Sequence, residues 1–320
     1  MIVRWGLEEL EPLLVELGVN RPFLIASDRW ADLPLPATAG WNEVPSDRIA
    51  EIGAAAAGAE GLLAVGGGSA IDLAKAVSVE TGLAVVSVPT TYSGAEWPTS
   101  FGVRDRDRRI TGGGSGAHLA GIVYEPRLML DLPREQSGGT ALNALAHCAE
   151  ALYTTGRNAD ADRLALEGAR AINEALPRVL DDGHDLEARI ALLEGAQHAG
   201  AALASAGLAL GHAMAQALGS RFGIAHGAAN ALCLPPALRF NEPVAEDEIR
   251  RFGDALGVEE PIARAEALAR ASGFERLRDL DVPKDELDAV ADAAAVRGGA
   301  KANPRPATPA QIAELLVEIW

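Results

Sequence analysis

A short apolar run that ends in three consecutive glycines is the feature that most constrains the fold of this chain. Residues 61–65 are continuously apolar, which predicts a buried strand, and they lead directly into Gly66, Gly67, Gly68 and Ser69. The spacing of apolar residues over 70–80 then predicts a helix. A strand, a glycine-rich turn and a helix in this order are typical of a parallel sheet that helices cover on both faces.

The same alternation of helix and strand continues on either side of the glycines. Helical spacing over 7–17 and 47–57 precedes apolar runs at 22–26 and 61–65, and a further apolar run follows at 83–88. Residues 104–109, where charges alternate, and 112–116, which are rich in glycine, predict a solvated hairpin or loop. We therefore expect an α/β domain with a parallel sheet in the N-terminal part.

From residue 137 onward the chain changes to Ala- and Leu-rich helical periodicity with few β-branched runs. We place a nucleotide-binding α/β domain at 1–134 and an all-helical domain at 135–320. A length of 320 residues agrees with two domains, because one hydrophobic core seldom supports so long a chain.

Charge and cysteine content argue against several classes of function. The formal net charge of −17 disfavours a nucleic-acid or anionic membrane surface, since both bind clustered Lys and Arg. Cys148 and Cys233 are far apart and lie in apolar patterns, which indicates neither a disulfide framework nor a cysteine-type zinc site. The sequence shows no targeting segment and no apolar run of membrane-spanning length, so we expect a cytoplasmic protein that acts on a small molecule.

The glycine-rich turn is a candidate phosphate site. Glycines let the backbone N–H groups at a helix N-terminus approach a pyrophosphate closely, although tight turns also need glycine for conformational reasons alone. Asp72 and Lys75 lie in the first two turns of the next helix and are either functional or merely solvent-facing. Asp28 follows the strand at 22–26 and is either an acceptor for a ribose hydroxyl, which favours NAD over NADP, or a helix N-cap.

Three histidines and an asparagine form a second candidate site. Asn143 and His147 are four residues apart on a predicted helix and so project from one face. His212 lies on a later helix, and His226 stands in a break between helical segments. Histidines on Ala-rich helices are usually packing residues and no compact metal motif is present, so spacing alone leaves both a ligand site and a structural role open.

Taken in order, these motifs resemble the iron-containing alcohol dehydrogenase superfamily, which shares its fold with dehydroquinate synthase. The resemblance extends roughly from Phe23 to Asn241 and rests on residues 66–75, 88–96, 143–147, 211–212 and 226–231. It implies a Rossmann-like N-terminal domain, a helical C-terminal domain, a nicotinamide cofactor and a homodimer.

The resemblance also implies roles for individual residues. The turn from Gly66 to Ser69 would bind the pyrophosphate of NADH, or of NADPH, and Asp28 would meet the adenosine ribose. The remaining candidates for the nucleotide site are Asp72, Lys75, Thr90, Thr91 and Ser93.

At the second site, metal-dependent members of the family hold iron or zinc with one Asp and three His. The matching positions here are Asn143, His147, His212 and His226. Because a neutral carbonyl oxygen attracts a divalent cation far less than a carboxylate does, we expect no firmly bound metal; any ion that did bind would use these four residues. Without an ion, the three histidines would stabilise the developing oxyanion by hydrogen bonds, and one of them would protonate it.

Asn143 and the C-terminal segment 303–306 are similar to the maleylacetate reductase branch of the family. The function that this implies is NADH-dependent reduction of a small oxo acid, namely maleylacetate to 3-oxoadipate in the degradation of aromatic compounds. Two alternatives stay open, a metal-dependent alcohol or polyol dehydrogenase that tolerates Asn143 and a catalytically silent nucleotide-binding protein.

Some positions depart from the pattern of the family. Where maleylacetate reductases carry other residues, this chain has Ala213 and Gly227, which bears on the recognition of a dicarboxylate. Where many metal-dependent relatives carry a further His, it has Gln216, which bears on a proton relay. The chain is also short ahead of Gly61, and we expect an N-terminal strand to be missing there.

Overall fold

The computed structural model describes residues 1–37 and 39–320 and divides them into two compact units. The first unit comprises Met1–Thr91 and Ala95–Met129, and the second comprises Tyr92–Gly94 and Leu130–Trp320. The division falls a few residues before the boundary expected at 134. The short piece Tyr92–Gly94 belongs to the second unit, which the sequence pattern did not indicate.

Eight strands are found in the first unit, and six of them form one parallel sheet. Their bounds are β1 Ile2–Trp5, β2 Pro22–Ala26, β3 Ala39–Trp41, β4 Gly61–Gly66, β5 Val85–Pro89, β6 Phe101–Arg104, β7 Ile110–Gly114 and β8 Leu119–Tyr124. The six-stranded sheet has the order β1-β8-β5-β4-β2-β3, while β6 and β7 pair as an antiparallel hairpin. This is the expected Rossmann-like α/β arrangement, and the charged residues 104–109 lie at its solvated hairpin.

Both faces of the sheet are buried, which explains why its central strands are continuously apolar. The helices of this unit are α1 Leu10–Glu16, α2 Ile49–Ala55 and α3 Gly68–Thr81. On β4, Leu62 contributes to a core cluster with Ile71 of α3. The next residue, Leu63, contributes to a second cluster with Leu13 of α1. Successive side chains of the strand thus enter different cores.

The expectation that an N-terminal strand is missing is wrong. Strand β1 pairs in parallel with β8 along its whole length, from Ile2 opposite Gly121 to Trp5 opposite Tyr124. A strand of four residues at the edge of a sheet is too short for the periodicity of its side chains to reveal it. The short strand β3 escaped notice for the same reason.

The second unit is helical, as expected. Its helices are α4 Arg134–Tyr153, α5 Ala159–Asp181, α6 Leu186–Ala206, α7 Leu210–Phe222, α8 His226–Leu256, α9 Pro261–Ala271, α10 Leu287–Ala295, α11 Gly298–Ala302 and α12 Pro309–Glu318. Helix α4 packs against α5, α6, α7, α8 and α9. Within residues 137–153 of α4, every residue except Thr140 is buried.

No single helix within the described residues is long and apolar enough to cross a membrane. Helices α6 and α7 together pass that test by length and composition alone, and the bend between them is 99°.

The packing of α3 predicts unequal effects for two substitutions on that helix. Ile71 is fully buried in a core cluster, whereas Val79 is 51% exposed. Ile71→Ala should therefore lower the free energy of unfolding of the first unit by about 2–5 kcal/mol, and Val79→Ala by about 0.5 kcal/mol or less. Urea unfolding followed by tryptophan fluorescence measures this, since four of the five tryptophans lie in the first unit. Equal losses would contradict the assigned core.

Candidate active site

The turn between β4 and α3 is held in a conformation that needs glycine. Gly66 has φ of 149°, which side-chain-bearing residues rarely adopt, and a Cβ placed on it would lie 2.8 Å from the Cβ of Ala70. A Cβ on Gly67 would lie 2.9 Å from Cγ2 of Thr91. The two glycines thus leave a cradle beside the N-terminus of α3, where backbone N–H groups attract a phosphate.

The threonines predicted for the nucleotide site lie beside this cradle. The backbone N–H of Thr90 donates to the carbonyl of Gly66 at 3.0 Å, which ties the end of β5 to the turn. The hydroxyl Oγ1 of Thr91 is buried and has no hydrogen-bond partner in the described part of the chain. An orphan hydroxyl beside a glycine cradle fits a polar ligand there. The residues present therefore fit a dinucleotide.

Asp28 stands just beyond the carboxyl end of β2, on a short 3-10 helix formed by Asp28–Trp30. Its side chain is exposed, and Oδ1 accepts a hydrogen bond from Nδ2 of Asn42 at 2.6 Å. The other carboxylate oxygen has no protein partner among the described residues. Its position at the carboxyl edge of the sheet agrees with the predicted contact to a ribose.

Lys75 and Asp72 form a structural anchor. Lys75 is 1% exposed, and its Nζ lies 2.9 Å from Oδ1 of Asp72. The ammonium also donates to the carbonyl oxygens of Ala95, Pro98 and Ser100 at 2.8, 3.3 and 2.6 Å. Since an ammonium has three N–H donors, all of them are used within the protein. Lys75 thus holds the segment after Ala95 in place, and no N–H of its ammonium is left to bind a cofactor.

The three histidines converge in the second unit, as the resemblance implied. The ring centroids of His147, on α4, and His212, on α7, are 4.7 Å apart with an interplanar angle of 17°. The ring of His226, the first residue of α8, is 5.7 Å from that of His212. His147 and His212 are buried and His226 is partly exposed. Burial, followed by the charges of His212 and His226, lowers the pKa of His147 well below its usual value, so this ring is neutral at pH 7.

A buried carboxylate that the sequence analysis missed fixes His212. Oε2 of Glu150 is 2.8 Å from Nδ1 of His212, and both side chains are essentially unexposed. The same carboxylate accepts the backbone N–H groups of Ala209, at 2.6 Å, and of His212, at 3.1 Å. An ionised carboxylate only accepts, so it places the ring proton of His212 on Nδ1 and leaves Nε2 as an acceptor. The one feature of the sequence that could have revealed this role is an acidic residue, Glu150, in the apolar stretch of α4, three residues after His147.

Asn143 is held at both ends of its amide. Its Nδ2 donates to the carbonyl of Ser93 at 3.0 Å, and its Oδ1 accepts from Nδ2 of Asn230 at 2.8 Å. Asn230, which the sequence analysis also missed, lies 3.0 Å from Nε2 of His226. It stands four residues after His226 and so shares a helix face with it. The structure places the carbonyl of Ser93, a residue predicted for the nucleotide site, beside Asn143.

The donor set does not fit a firmly held divalent ion. Nδ1 of His147 and Nε2 of His212 are buried and without partners in the described residues, as unused ligands would be. However, Asn143 offers only a neutral amide oxygen, which already accepts from Asn230, and no carboxylate stands in its place. Over residues 1–37 and 39–320, no group of three or more ligand-type side chains is arranged to hold a metal. What the cluster offers is a set of ring nitrogens able to hydrogen-bond a polar substrate.

Family models cover most of the chain. The model described as "Fe-containing alcohol dehydrogenase family, C-terminal" matches residues 138–320, and the one described as "Iron-containing alcohol dehydrogenase" matches residues 38–97.

Among curated relatives, a maleylacetate reductase of Burkholderia cepacia is 36% identical over 260 residues, which is 81% of this chain and 73% of that protein. A maleylacetate reductase of Sphingobium indicum is 37% identical over 274 residues, or 84% and 77% of the two chains. Among solved structures, a putative alcohol dehydrogenase from Ralstonia eutropha superposes with a TM-score of 0.91 at 30% identity, over 100% of this chain and 95% of that one. Maleylacetate reductase from Rhizobium sp. gives 0.89 at 27% identity, over 100% and 95%.

Replacing Glu150 should disturb the second unit more than the loss of a surface acid would. Glu150→Gln keeps the shape of the side chain but brings an NH₂ group to donors that need an acceptor. Leaving buried donors unsatisfied costs about 1–3 kcal/mol each, so we expect the free energy of unfolding to fall by about 2 kcal/mol or more. Chemical denaturation measures it, with the exposed Glu187→Gln as control. A loss equal to that of the control would show that Glu150 does not hold His212.

Proposed function

Because this chain belongs to the iron-containing alcohol dehydrogenase family, we propose that it is an NAD(P)H-dependent reductase that converts maleylacetate to 3-oxoadipate. The observation that carries the proposal is the histidine cluster completed by Asn143 and not by a carboxylate. Similarity to maleylacetate reductases over four fifths of the chain supports the choice of substrate.

The two units have separate parts in this proposal. In the first unit, Gly66, Gly67 and Thr91 form the cradle for the dinucleotide, and Asp28 accepts from its ribose. When bound, NADH supplies a hydride to the alkene carbon that is β to the ketone of maleylacetate. The electron pair of the alkene moves toward the ketone oxygen to give an enolate. A proton added to the carbon α to the ketone restores the C=O bond and completes the reduction to 3-oxoadipate.

The second unit orients the substrate and stabilises the charge that develops on its oxygen. His147, His212 and His226 place their ring nitrogens together. Because Nε2 of His212 is an acceptor, we assign the hydrogen bonds to that oxygen to His147 and His226. His226 is the partly exposed member, so we assign to it the exchange of the proton with solvent. Glu150 and Asn230 keep the rings in place, which spares the site reorganisation during the reaction.

A metal-dependent alcohol dehydrogenase is the second candidate, and one observation favours it. A carboxylate behind the far nitrogen of a histidine, as at Glu150 and His212, is the usual support of a metal ligand. The two candidates predict opposite responses to chelation.

We expect the purified protein to oxidise NADH with maleylacetate in the presence of excess chelator. Hydrogen bonds from the histidines, and not an ion, stabilise the oxyanion in the proposed reaction, so stripping divalent ions should leave kcat unchanged. The measurement is the fall in absorbance at the nicotinamide band with and without chelator. Activity that chelation abolishes and zinc or iron restores would favour the metal-dependent candidate. Absence of turnover under every condition would overturn the substrate assignment.

Asn143→Asp should convert the cluster into a metal site. A carboxylate adds the negative charge that a divalent cation needs, and it removes the donor to Ser93. We expect the affinity for zinc to rise by about tenfold or more, and the activity in chelator to fall. Equilibrium dialysis against zinc gives the affinity. The control is Asn173→Asp on α5, whose amide bonds to Leu256 and Arg264. Equal zinc binding by both variants would contradict the assignment of Asn143 to the ligand position.

A further inference from the structure

Trp30 stands at the entrance to the glycine turn. It ends the 3-10 helix that follows β2, and its partly buried ring packs against the core cluster that contains Ala26, Val65 and Val88. Its Nε1 lies 4.0 Å from the point that a Cβ on Gly66 would occupy. The polar edge of the indole therefore faces the start of the phosphate cradle.

The indole N–H of Trp30 has no acceptor among the described residues. Three other tryptophans donate theirs within the protein: Trp41 to the carbonyl of Glu43 at 3.0 Å, Trp97 to the hydroxyl of Tyr124 at 2.8 Å, and Trp320 to the carbonyl of Val282 at 2.8 Å. Trp5 likewise has no acceptor among the described residues. What distinguishes Trp30 is the approach of its Nε1 to Gly66, which places this donor where a ligand in the cradle can accept from it.

Other groups of the protein already contact the indole ring of Trp30. The guanidinium of Arg29 lies over the ring, 5.1 Å from its centroid, and the ring also contacts the core cluster. A nearby cation makes the edge of the indole more attractive to an anion than to a neutral base. Stacking of an adenine on Trp30 is therefore less favoured than a hydrogen bond from Nε1 to an anionic oxygen.

We infer that Trp30 donates its indole N–H to a phosphate oxygen of the dinucleotide, and so extends the cradle of Gly66 and Gly67 with a side-chain donor. The inference rests on the cofactor part of the proposed function and not on its substrate. No sequence motif singled out Trp30, because the residue acquires this role only through its approach to Gly66 in space.

Calorimetric titration of the whole protein with NADH, ADP-ribose and adenosine tests the inference. Trp30→Phe keeps an aromatic ring and removes the donor, so it should weaken the binding of NADH and of ADP-ribose by roughly tenfold or more, as expected for one hydrogen bond to a charged group. Adenosine has no phosphate, and its affinity should not change. Trp5→Phe is the matched control, because it makes the same substitution on β1, at the far edge of the sheet from β4 and β2. Its affinities should equal those of the wild type.

Three results would overturn the inference: unchanged affinities in Trp30→Phe, tighter binding, or an equal loss for adenosine, which would indicate stacking. Should Trp30→Phe fold poorly, Trp30→Leu, which also lacks a donor, serves in its place. NMR of the wild-type protein adds a test that does not depend on the folding of a variant. Inorganic pyrophosphate should shift one of the five indole N–H signals downfield. Failure of all five to shift would also overturn it. Wild-type protein that binds NADH without reducing maleylacetate would refute the substrate assignment alone.

Discussion

Burial of helix α4 on all sides is the constraint on which the second unit depends. Five helices pack around it, so each polar side chain that it carries from residue 141 onward must find its partner inside the protein. Asn143, His147 and Glu150 occupy successive turns of this helix. Two of them are fully engaged: Asn143 by Ser93 and Asn230, and Glu150 by the backbone and ring of His212. The candidate site is thus a group of polar side chains buried among helices that otherwise pack through apolar side chains.

Close packing of this helix also determines where small residues are needed. A Cβ on Gly227, at the start of α8, would lie 2.4 Å from the carbonyl carbon of Gly139 on α4. Only glycine lets the two backbones approach so closely, and this approach brings His226 toward His212. Arg189 is a further fixed point of the unit, because its buried guanidinium bonds the hydroxyls of Tyr92 and Ser137. Tyr92 precedes Ser93, so this contact helps to hold the carbonyl that Asn143 binds.

Much of this architecture follows from local sequence patterns. The strands at 22–26, 61–65 and 83–88 and the helix after Gly68 are found close to the predicted bounds, because burial on both faces makes their signal continuous. The edge strands β1 and β3 were missed since short edge strands carry no such signal. Asn143, His147, His212 and His226 stood out by type and spacing. Glu150, Asn230 and Trp30 did not, because each acquires its role from a neighbour distant in sequence. The carbonyls of Ala95, Pro98 and Ser100 surround the ammonium of Lys75, which the sequence does not show.

Asn143 changes the chemistry of the cluster in more ways than the loss of a charge. A carboxylate only accepts hydrogen bonds, whereas this amide donates to Ser93 and accepts from Asn230 in the same conformation. A carboxylate in its place would face the carbonyl of Ser93 without a donor, and an ion would then be needed to satisfy the oxygens. The amide of Asn143 instead has both its donor and its acceptor satisfied without an ion. Polar groups that are already oriented stabilise a developing charge without the cost of reorganisation, so the asparagine favours hydrogen-bond catalysis at these histidines.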